Sequence, residues 1–507
     1  MRRVTRLALV ALILAVLPLA ACGSGKDGTG SQGISFGAVF YAIPYLDPIF
    51  ENEVIGLKNL TNTDTEVEIS AFTALGSITG PVAVEIPANG EVRAPVEDYL
   101  GGLGLLHVGG WLLIDTSPGP AVGRVTTYID RFNTLNESSE AGATFREGPI
   151  ATSLSPFAQS YQIINNSGVP VTYDVEVFSF DGVSLGVDSV DTLPGSATTT
   201  SVPFFGFVGQ VVVTATGVGP GVAMTSVSVK EVQSSVLTER RLVEGVDSVT
   251  AVQALGFDVD YGFDFGGNAH DFALVVSNPT GSGQVVTLDS ITAADGTELL
   301  PTPRQLVLRG FQTKFYRERT IDCIGLDDGE FSPFDGVFPD LDTVPALDQL
   351  TFTITSPREV NTSMRIYDSV FEQFFMIRNG SSRLSTRVNV TNIPTQTTTI
   401  SGTRNWIDIS NPFAGTVDVF PTVTTPGGTV YVLDPITVDP RSRTTFSPDG
   451  EVFREDPFDP VEPPVPFISV ELSSVGGLFY NARKTRRNAQ GLILFMRPSV
   501  VRNETFE

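Results

Sequence analysis

One pattern recurs four times along the chain and constrains its fold more than any other feature. In each copy an apolar segment ends at an Asn-led turn and is followed by residues that alternate between apolar and polar. The four segments end at Asn59, Asn166, Asn278 and Asn411, about 110 to 130 residues apart. Asn suits such turns because its side chain can hydrogen-bond the local backbone. The recurrence predicts four tandem copies of one structural unit.

A second apolar segment follows the first in every copy. These segments begin at Trp111, Gln210, Leu350 and Phe467. Each of them precedes a short turn and another strand-like stretch. Two markers that keep the same order in four copies are hard to obtain by chance, which supports the repeat.

Between the markers the hydrophobic period is two. Val67, Ile69 and Ala71, for example, alternate with Glu66 and Glu68. One face of such a strand can be buried while the other meets water, which is typical of antiparallel sheets. Convincing helical periodicity is nearly absent, and only residues 236–244 could form one or two helical turns.

Units of about 100 residues with several short strands resemble immunoglobulin-like sandwiches. The resemblance is to the architecture alone, because the paired Cys and the intervening Trp of antibody domains are missing. The predicted fold class is therefore all-β, with tandem antiparallel β-sandwich domains of the immunoglobulin-like kind.

The repeats and the changes in composition divide the chain. We expect a signal peptide at 1–21, a flexible tether at 22–36, and sandwiches at 37–140, 141–245, 246–372 and 373–507. The tether is rich in Gly, Ser and Thr, which is typical of flexible linkers. The third sandwich is enlarged by an acidic insertion.

The N-terminus has the parts of an export signal. Three arginines within the first six residues precede an unbroken apolar run from Leu7 to Leu17. This run is too short to span a bilayer, which takes about 20 residues. It leads into Leu19-Ala20-Ala21-Cys22, which resembles the lipobox of bacterial lipoproteins. The resemblance implies cleavage before Cys22 and attachment of a diacylglycerol to its thiol.

Fatty acyl chains such as palmitate would anchor the protein to a membrane without a spanning segment. Lipoproteins retained in the inner membrane of two-membrane bacteria typically carry Asp after the lipidated Cys, whereas this chain has Gly23. The expected location is therefore the cell envelope, with the outer membrane or cell surface favoured.

The balance of acidic and basic side chains limits the classes of partner that we expect for the chain. The chain has 57 acidic and 32 basic side chains, for a net charge of -25. Binding to nucleic acid needs a basic surface that replaces phosphate counterions, so nucleic acid is excluded as an expected partner. Besides the membrane, a protein or a polysaccharide at the cell surface is the expected partner class.

Candidate metal chemistry is concentrated in the acidic insertion of the third unit. Its carboxylates could bind calcium, although their spacing does not fit an EF-hand loop. These weak metal candidates are Asp327, Asp328, Glu330, Asp335, Asp340 and Asp342. A solvated acidic loop is the favoured interpretation, and no other cofactor is expected. A second acidic stretch, from Asp258 to Asp271, is interpreted as a Gly-rich interdomain loop.

Neither histidine has the sequence context of a catalytic triad. His270 lies beside Asp271, but the chain has no Gly-x-Ser-x-Gly motif in a strand-turn-helix context. His107 is interpreted as a strand or turn residue. We therefore expect no enzyme activity, but a cell-envelope lipoprotein with a structural, adhesive or binding role. The alternative is an exported glycan-binding or hydrolytic protein with a calcium or carboxylate site in the third unit.

Overall fold

The structure is a computed structural model of the chain. The residues that it describes are 40–45, 52–76, 78–100, 110–132, 137–142, 145, 149–154, 158–201, 209–219, 222–223, 225–233, 236–243, 254–260, 262–263, 269–300, 302–317, 349–358, 360–368, 373–379, 384–394, 403–448, 467–487, 493–498 and 501–504.

The described residues form 34 strands in four successive groups, and a single short helix, α1, at Glu97–Leu100. The first group is β1 Phe40–Tyr45, β2 Asn52–Asn59, β3 Thr65–Thr73, β4 Ile78–Ile86, β5 Glu91–Pro95, β6 Gly110–Asp115, β7 Val125–Phe132 and β8 Glu137–Ala141. The second group is β9 Ile150–Leu154, β10 Ala158–Asn165, β11 Val171–Ser179, β12 Ser184–Thr192, β13 Ala197–Ser201, β14 Gly209–Thr216, β15 Thr225–Gln233 and β16 Val236–Val243. The third group is β17 Ala254–Asp260, β18 Gly262–Phe263, β19 Ala269–Ser277, β20 Gln284–Ala293, β21 Arg304–Leu308, β22 Thr313–Arg317, β23 Gln349–Thr355, β24 Asn361–Asp368 and β25 Gln373–Asn379. The fourth group is β26 Ser385–Pro394, β27 Thr403–Ser410, β28 Val417–Thr424, β29 Val430–Val432, β30 Ile436–Val438, β31 Arg443–Phe446, β32 Phe467–Arg487, β33 Ile493–Pro498 and β34 Val501–Glu504.

Each group forms a two-sheet unit with the same eight strand positions, which we letter a to h in chain order. One sheet has the order a-f-c-d and the other e-b-g-h, as in β1-β6-β3-β4 and β5-β2-β7-β8 of the first unit. Position b pairs with e, and c pairs with f, as in immunoglobulin sandwiches. Here a lies beside f and g beside b, where an immunoglobulin domain has its last and first strands. The predicted all-β fold of tandem antiparallel sandwiches is confirmed.

The third and fourth units vary this plan. The third has the extra two-residue strand β18 beside β19. In the fourth, β29 and β30 share position d, and the long β32 supplies f with its first part and g with its second. The last strand, β34, adds to the sheet edge at β26.

The cores lie between the two sheets of each unit. In β3, Val67, Ile69 and Ala71 are buried, whereas Glu66 and Glu68 are partly exposed. The period of two read from the sequence therefore separates core-facing from solvent-facing side chains. The same alternation of buried and partly exposed residues occurs in the equivalent strand β11 of the second unit.

The Asn that marks each repeat is the last residue of strand b or the residue directly after it, and it is buried. The four equivalent residues are Asn59, Asn165, Asn278 and Asn411. In the second unit, the side-chain amide of Asn165 donates to the carbonyls of Val169 at 3.1 Å and Leu193 at 3.2 Å, while its oxygen accepts from the Ser167 amide at 2.8 Å. Each Asn thereby fixes the b–c turn against the d–e turn. The marker of the second unit is Asn165, and the position Asn166 taken from the sequence was one residue too late.

The observed strand bounds and pairings differ from three expectations drawn from the sequence. The predicted helical turns at residues 236–244 are wrong, because β16 extends along β15 there. The acidic stretch interpreted as a loop lies largely in strands, with Asp258 in β17 and His270 and Asp271 in β19. β25 pairs with β24, so it belongs to the sheet of the third unit, although the boundary after residue 372 assigned it to the fourth.

We predict that Asn165→Ala lowers the free energy of unfolding by about 2 to 4 kcal/mol. The substitution leaves two backbone carbonyls without the amide that they bind, and each buried group without a partner costs about 1 to 3 kcal/mol. Unfolding in urea measures the change. Asn166→Ala is the matched control and should stay within about 0.5 kcal/mol of the wild type. Equal losses in the two variants would contradict the assignment of Asn165.

Candidate functional site

Successive units contact one another through the same two turns. The c–d turn of one unit packs against the d–e turn and the start of strand e in the next. The backbone N–H of Ala197 in the second unit donates to the carbonyl of Ala74 in the first at 3.1 Å. The equivalent bonds, both 3.0 Å long, run from Thr313 N–H to the Phe180 carbonyl and from Arg443 N–H to the Ala294 carbonyl.

A fourth bond of the same kind joins the first unit to the fourth. The N–H of Glu91 donates to the carbonyl of Pro426 at 3.0 Å. Each unit is thus connected to the next and the last to the first, so the four sandwiches form a closed ring. Strands at position h contact one another across units, β8 with β16 and β33 with both β25 and β8. This edge of the sandwiches therefore takes part in the contacts between units.

A glycine in each c–d turn permits the close approach of the units. The four glycines, Gly76, Gly182, Gly296 and Gly428, have φ between +82° and +88°. A Cβ at any of them would lie closer than 3.0 Å to a backbone carbonyl oxygen of the next unit. Both the left-handed backbone and the lack of space require a residue without a Cβ.

The side chains that face each junction differ although the backbone contacts are the same. Between the first and second units they are mainly apolar, and Trp111, Ile164 and Ala197 belong to one buried cluster. Phe72 stacks on Trp111 with ring centroids 4.3 Å apart. The Trp111 indole N–H donates to the Gly195 carbonyl at 2.9 Å, so its polar atom is also satisfied.

The junction between the second and third units combines stacking with neutral hydrogen bonds. Phe178 stacks on Phe311 with centroids 4.2 Å apart. The side-chain amide of Gln210 donates to the Asn278 carbonyl at 2.7 Å. Gln210 occupies the strand-f position that Trp111 occupies in the first unit.

Between the third and fourth units the contacts are more polar. The hydroxyls of Thr351 and Ser410 lie 3.3 Å apart across the junction. Next to them, Arg443 and Asp408 form a fully buried ion pair with an N–O distance of 2.8 Å. The Thr445 hydroxyl donates a further bond to Asp408 at 3.0 Å.

The junction between the fourth and first units, which we call the closing junction, contains buried charges. The Ser469 hydroxyl of the fourth unit donates to Glu91 Oε2 of the first at 2.6 Å. The Tyr128 hydroxyl donates to the other oxygen of Glu91, and its ring lies over Gly56, where a Cβ would overlap it. Burial raises the pKa of Glu91, and the hydrogen bonds from Ser469 and Tyr128 oppose that rise.

Lys58 is the residue opposite Glu91 across the strand pair and is also buried. Its ammonium group donates to the carbonyl of Asn89. Burial lowers the pKa of Lys58 to about 8, against the opposing effect of the Glu91 and Glu471 carboxylates. At neutral pH the closing junction therefore holds a cation inside the protein.

Two further ion pairs flank these groups. Arg93 and Asp130 lie 2.5 Å apart, and the Arg93 guanidinium carbon is 4.7 Å from the centroid of the Phe467 ring of the fourth unit. That geometry is a cation–π contact across the junction. Arg387 and Glu471 of the fourth unit form a second pair at 2.5 Å.

A cavity of about 210 Å³ lies in the closing junction and is partly open to solvent. Its walls come from both units: Lys58, Asn59, Leu60 and Asn89 from the first, and Arg387, Asn389, Thr422, Thr424, Val430, Ser469, Val470 and Glu471 from the fourth. The lining has two cations, one carboxylate and several amides and hydroxyls. Among the described residues, this is the candidate functional site, because charged and polar side chains converge there on accessible space.

The residues predicted as sites from the sequence are not among the described residues that line this cavity. Cys22 and the metal candidates Asp327, Asp328, Glu330, Asp335, Asp340 and Asp342 are all outside the described residues, as is His107. His270 and Asp271 lie next to each other in β19. The described residues contain no group of three His, Cys, Asp or Glu side chains that could hold a metal ion. Calcium binding stays a prediction.

Sequence reasoning missed the closing junction. A comparison of the four repeats at matched positions could have revealed it. Before the marker Asn, the four units have Lys58, Ile164, Ser277 and Ser410. At the start of strand e they have Glu91, Ala197, Thr313 and Arg443. A Lys and a Glu at buried, paired positions distinguish the first unit from the others.

Comparison with known proteins gives no further assignment. No protein-family model matches this chain, and no curated protein matches it in sequence. No helix among the described residues is long and apolar enough to cross a bilayer. Function is therefore inferred from the chain's own residues.

We predict that Gly428→Ala destabilises the closing junction. The variant has both an unfavourable left-handed residue at φ +87° and a Cβ against the Ala88 carbonyl of the first unit. Gly217→Ala isolates the first effect, because Gly217 has φ +74° and no atom within 4 Å of a Cβ. That strain alone costs about 1 to 2 kcal/mol.

The free energy of unfolding in urea separates these contributions. Gly428→Ala should lose at least about 1 kcal/mol more than Gly217→Ala, since overpacking typically costs about 1 to 3 kcal/mol. Gly427→Ala, which meets no atom within 4 Å, is the neutral control. The same loss in the Gly428 and Gly217 variants would show that the turn is not packed against the first unit.

We also predict that the Lys58 charge makes stability depend on pH. Since the pKa of Lys58 is lowered from 10.5 to about 8, the unfolded state holds more protons than the folded state between these values. Stability should then rise with pH by up to about 1.4 kcal/mol per unit in this window, relative to Lys58→Met. Urea unfolding of both proteins at several pH values measures the difference. Lys314→Met, in the third unit, should follow the wild type, and parallel curves for wild type and Lys58→Met would refute the prediction.

Proposed function

We propose that the chain is a non-catalytic lipoprotein of the bacterial cell envelope, whose ring of sandwiches is a structural or binding module. The proposed role of the ring rests on one observation, the closing junction between the first and fourth units. Tandem domains joined only by linkers move relative to one another by default. In a closed ring every unit is held by two neighbours, so the module presents its surfaces in a fixed arrangement.

Three buried acids of the described residues support a structural role. Asp130 pairs with Arg93, and Asp408 pairs with Arg443. Glu91 accepts hydrogen bonds from two hydroxyls. A general acid or base must reach the substrate atom that it protonates or deprotonates. These carboxylates are instead engaged with partners inside and between the units.

The envelope location is inferred from the sequence. The lipobox-like segment ends at Cys22, and Gly23 favours the outer membrane or cell surface. The tether at 22–36 would span roughly 20 Å as a flexible chain. The ring would thus lie close to the bilayer, with a protein or a polysaccharide of the cell surface as its partner class.

We predict that Cys22→Ala releases the protein from the membrane in a bacterial host that processes lipoproteins. Without the thiol no acyl chains can be attached, and the remaining protein has the charge of a soluble acidic domain. Detergent phase partitioning and intact-mass spectrometry measure the outcome. The wild type should enter the detergent phase with a mass that includes acyl chains on Cys22.

The other cysteine of the chain, Cys323, supplies the matched control, and Cys323→Ala should partition like the wild type. A wild-type protein without acyl mass, or one cleaved at a different bond, would contradict the proposed anchor.

A further inference from the structure

We propose that an exposed apolar patch at the junction between the first and second units contacts the lipid bilayer directly. The patch, which we call the turn patch, consists of Leu75, Val169 and Leu193, which are 79%, 39% and 55% exposed. Exposed apolar surface of this kind is typical of sites for protein or membrane partners. The inference rests on the proposed lipid anchor, and it adds a second contact between the protein and the membrane.

The turn patch is formed by three turns that meet at the junction. Leu75 lies in the c–d turn of the first unit, and Val169 and Leu193 lie in the b–c and d–e turns of the second. The side-chain amide of Asn165 donates to the carbonyls of Val169 and Leu193, which holds these two turns together. The c–d turn approaches so closely that a Cβ on Gly76 would lie 2.6 Å from a backbone oxygen of the d–e turn. The three side chains therefore start from neighbouring points of the backbone.

The turn patch is continuous with the buried apolar cluster of the junction. Ile78 lies directly opposite Phe72 in the β3–β4 pair, so the two side chains are on the same face of the sheet. Phe72 belongs to the buried cluster with Trp111, whereas Ile78 is exposed. Apolar side chains thus extend from the interior of the junction to the solvent beside Leu75.

The lack of charge in these turns distinguishes this junction from the other three. The turns at 74–77, 166–170 and 193–196 contain no Asp, Glu, Lys or Arg. The residues at the positions that match the turn patch are Asp181, Ser282 and Arg309 between the second and third units, Asp295, Gly415 and Asp439 between the third and fourth, and Gly427, Thr63 and Pro87 at the closing junction. Among the four junctions, branched aliphatic side chains occupy all three positions only at this one.

The first described residue lies at the same junction. Phe40 packs against the buried apolar cluster that the first and second units share. The proposed tether between Cys22 and Phe40 would span roughly 20 Å as a flexible chain. A bilayer that holds acyl chains on Cys22 is therefore within reach of this junction.

The charge and the shape of the surface favour a bilayer over other occupants. The net charge of the chain is -25, so two copies repel each other, which disfavours pairing of the turn patch with a second copy. Leu75 projects into solvent, and a protein partner would need a pocket that fits it. The boundary between headgroups and acyl chains needs no such pocket, because it accepts apolar side chains according to the area that they bury.

The test is quenching of a fluorophore by brominated lipid in phosphatidylcholine vesicles, which reports whether a labelled site enters the bilayer. The full chain is prepared in a bacterial host that processes lipoproteins, with Cys323→Ala to avoid a second label, and is reconstituted after labelling at Leu75→Cys or Leu193→Cys. We expect brominated lipid to reduce the fluorescence at both sites. Val307→Cys, at an exposed position in strand d of the third unit, is the matched control and should keep its fluorescence.

A charge placed in the turn patch gives a second measurement. Leu75→Asp introduces the residue that the second and third units already have before the c–d glycine, Asp181 and Asp295, so the turn accommodates it. This variant should lose the quenching at Leu193→Cys, because a carboxylate is costly to place among acyl chains. Val307→Asp should leave that quenching unchanged.

The outcomes separate the turn patch from the anchor, because intact-mass spectrometry of the same protein reports the acyl chains on Cys22. Quenching at the patch that does not exceed that at Val307→Cys overturns the inference, whether or not acyl chains are present, and leaves a protein as the partner of the patch. Greater quenching at the patch in a protein without acyl chains supports the contact and contradicts the anchor. A dimer of the protein that Leu75→Asp makes monomeric would assign the patch to a second copy and would also overturn the inference.

Discussion

The arrangement of the four units depends on one backbone hydrogen bond, from the first residue of strand e to the c–d turn of the preceding unit. The bond uses main-chain atoms, so it does not depend on which side chains flank it. Its requirements are the tight turn and the glycine that lets the two backbones approach. The side chains around it have therefore been free to diverge, from Ile164 and Ala197 at one junction to Lys58 and Glu91 at another.

The closing junction differs in kind from the other three. Those join units that are neighbours in sequence, whereas this one brings together the first and last units of the repeat. The entropic cost of closing a long loop grows only slowly with its length, so a contact of ordinary size can close the ring. The stability of this contact depends on the pairing of its buried charges, since a buried charge without its partner is strongly destabilising. The stability of the junction that completes the ring is thus expected to depend on charge.

The sequence predicted the sandwich units because their signals are local. Alternation in β3 and the Asn at or directly after the end of each b strand reflect burial and turn chemistry within a few residues. The ring was not predictable in this way, because Glu91 and Pro426 become neighbours only when four units have folded and packed. The same limit applies to the cavity, whose walls are separated by more than 300 residues, as the Ser469 to Glu91 bond illustrates. Residues 236–244 were the only stretch in which the sequence allowed one or two helical turns, and pairing with β15 determined a strand instead.

Amide hydrogen exchange at four equivalent positions tests the closed ring most directly. The N–H groups of Ala197, Thr313 and Arg443 each donate across a junction between consecutive units, and Glu91 donates across the closing junction. Exchange of a hydrogen-bonded amide requires local opening, so its rate reports how often each junction separates. A closed ring predicts protection of Glu91 comparable to that of the other three. Protection at those three positions with free exchange at Glu91 would show an open string of sandwiches and contradict the ring.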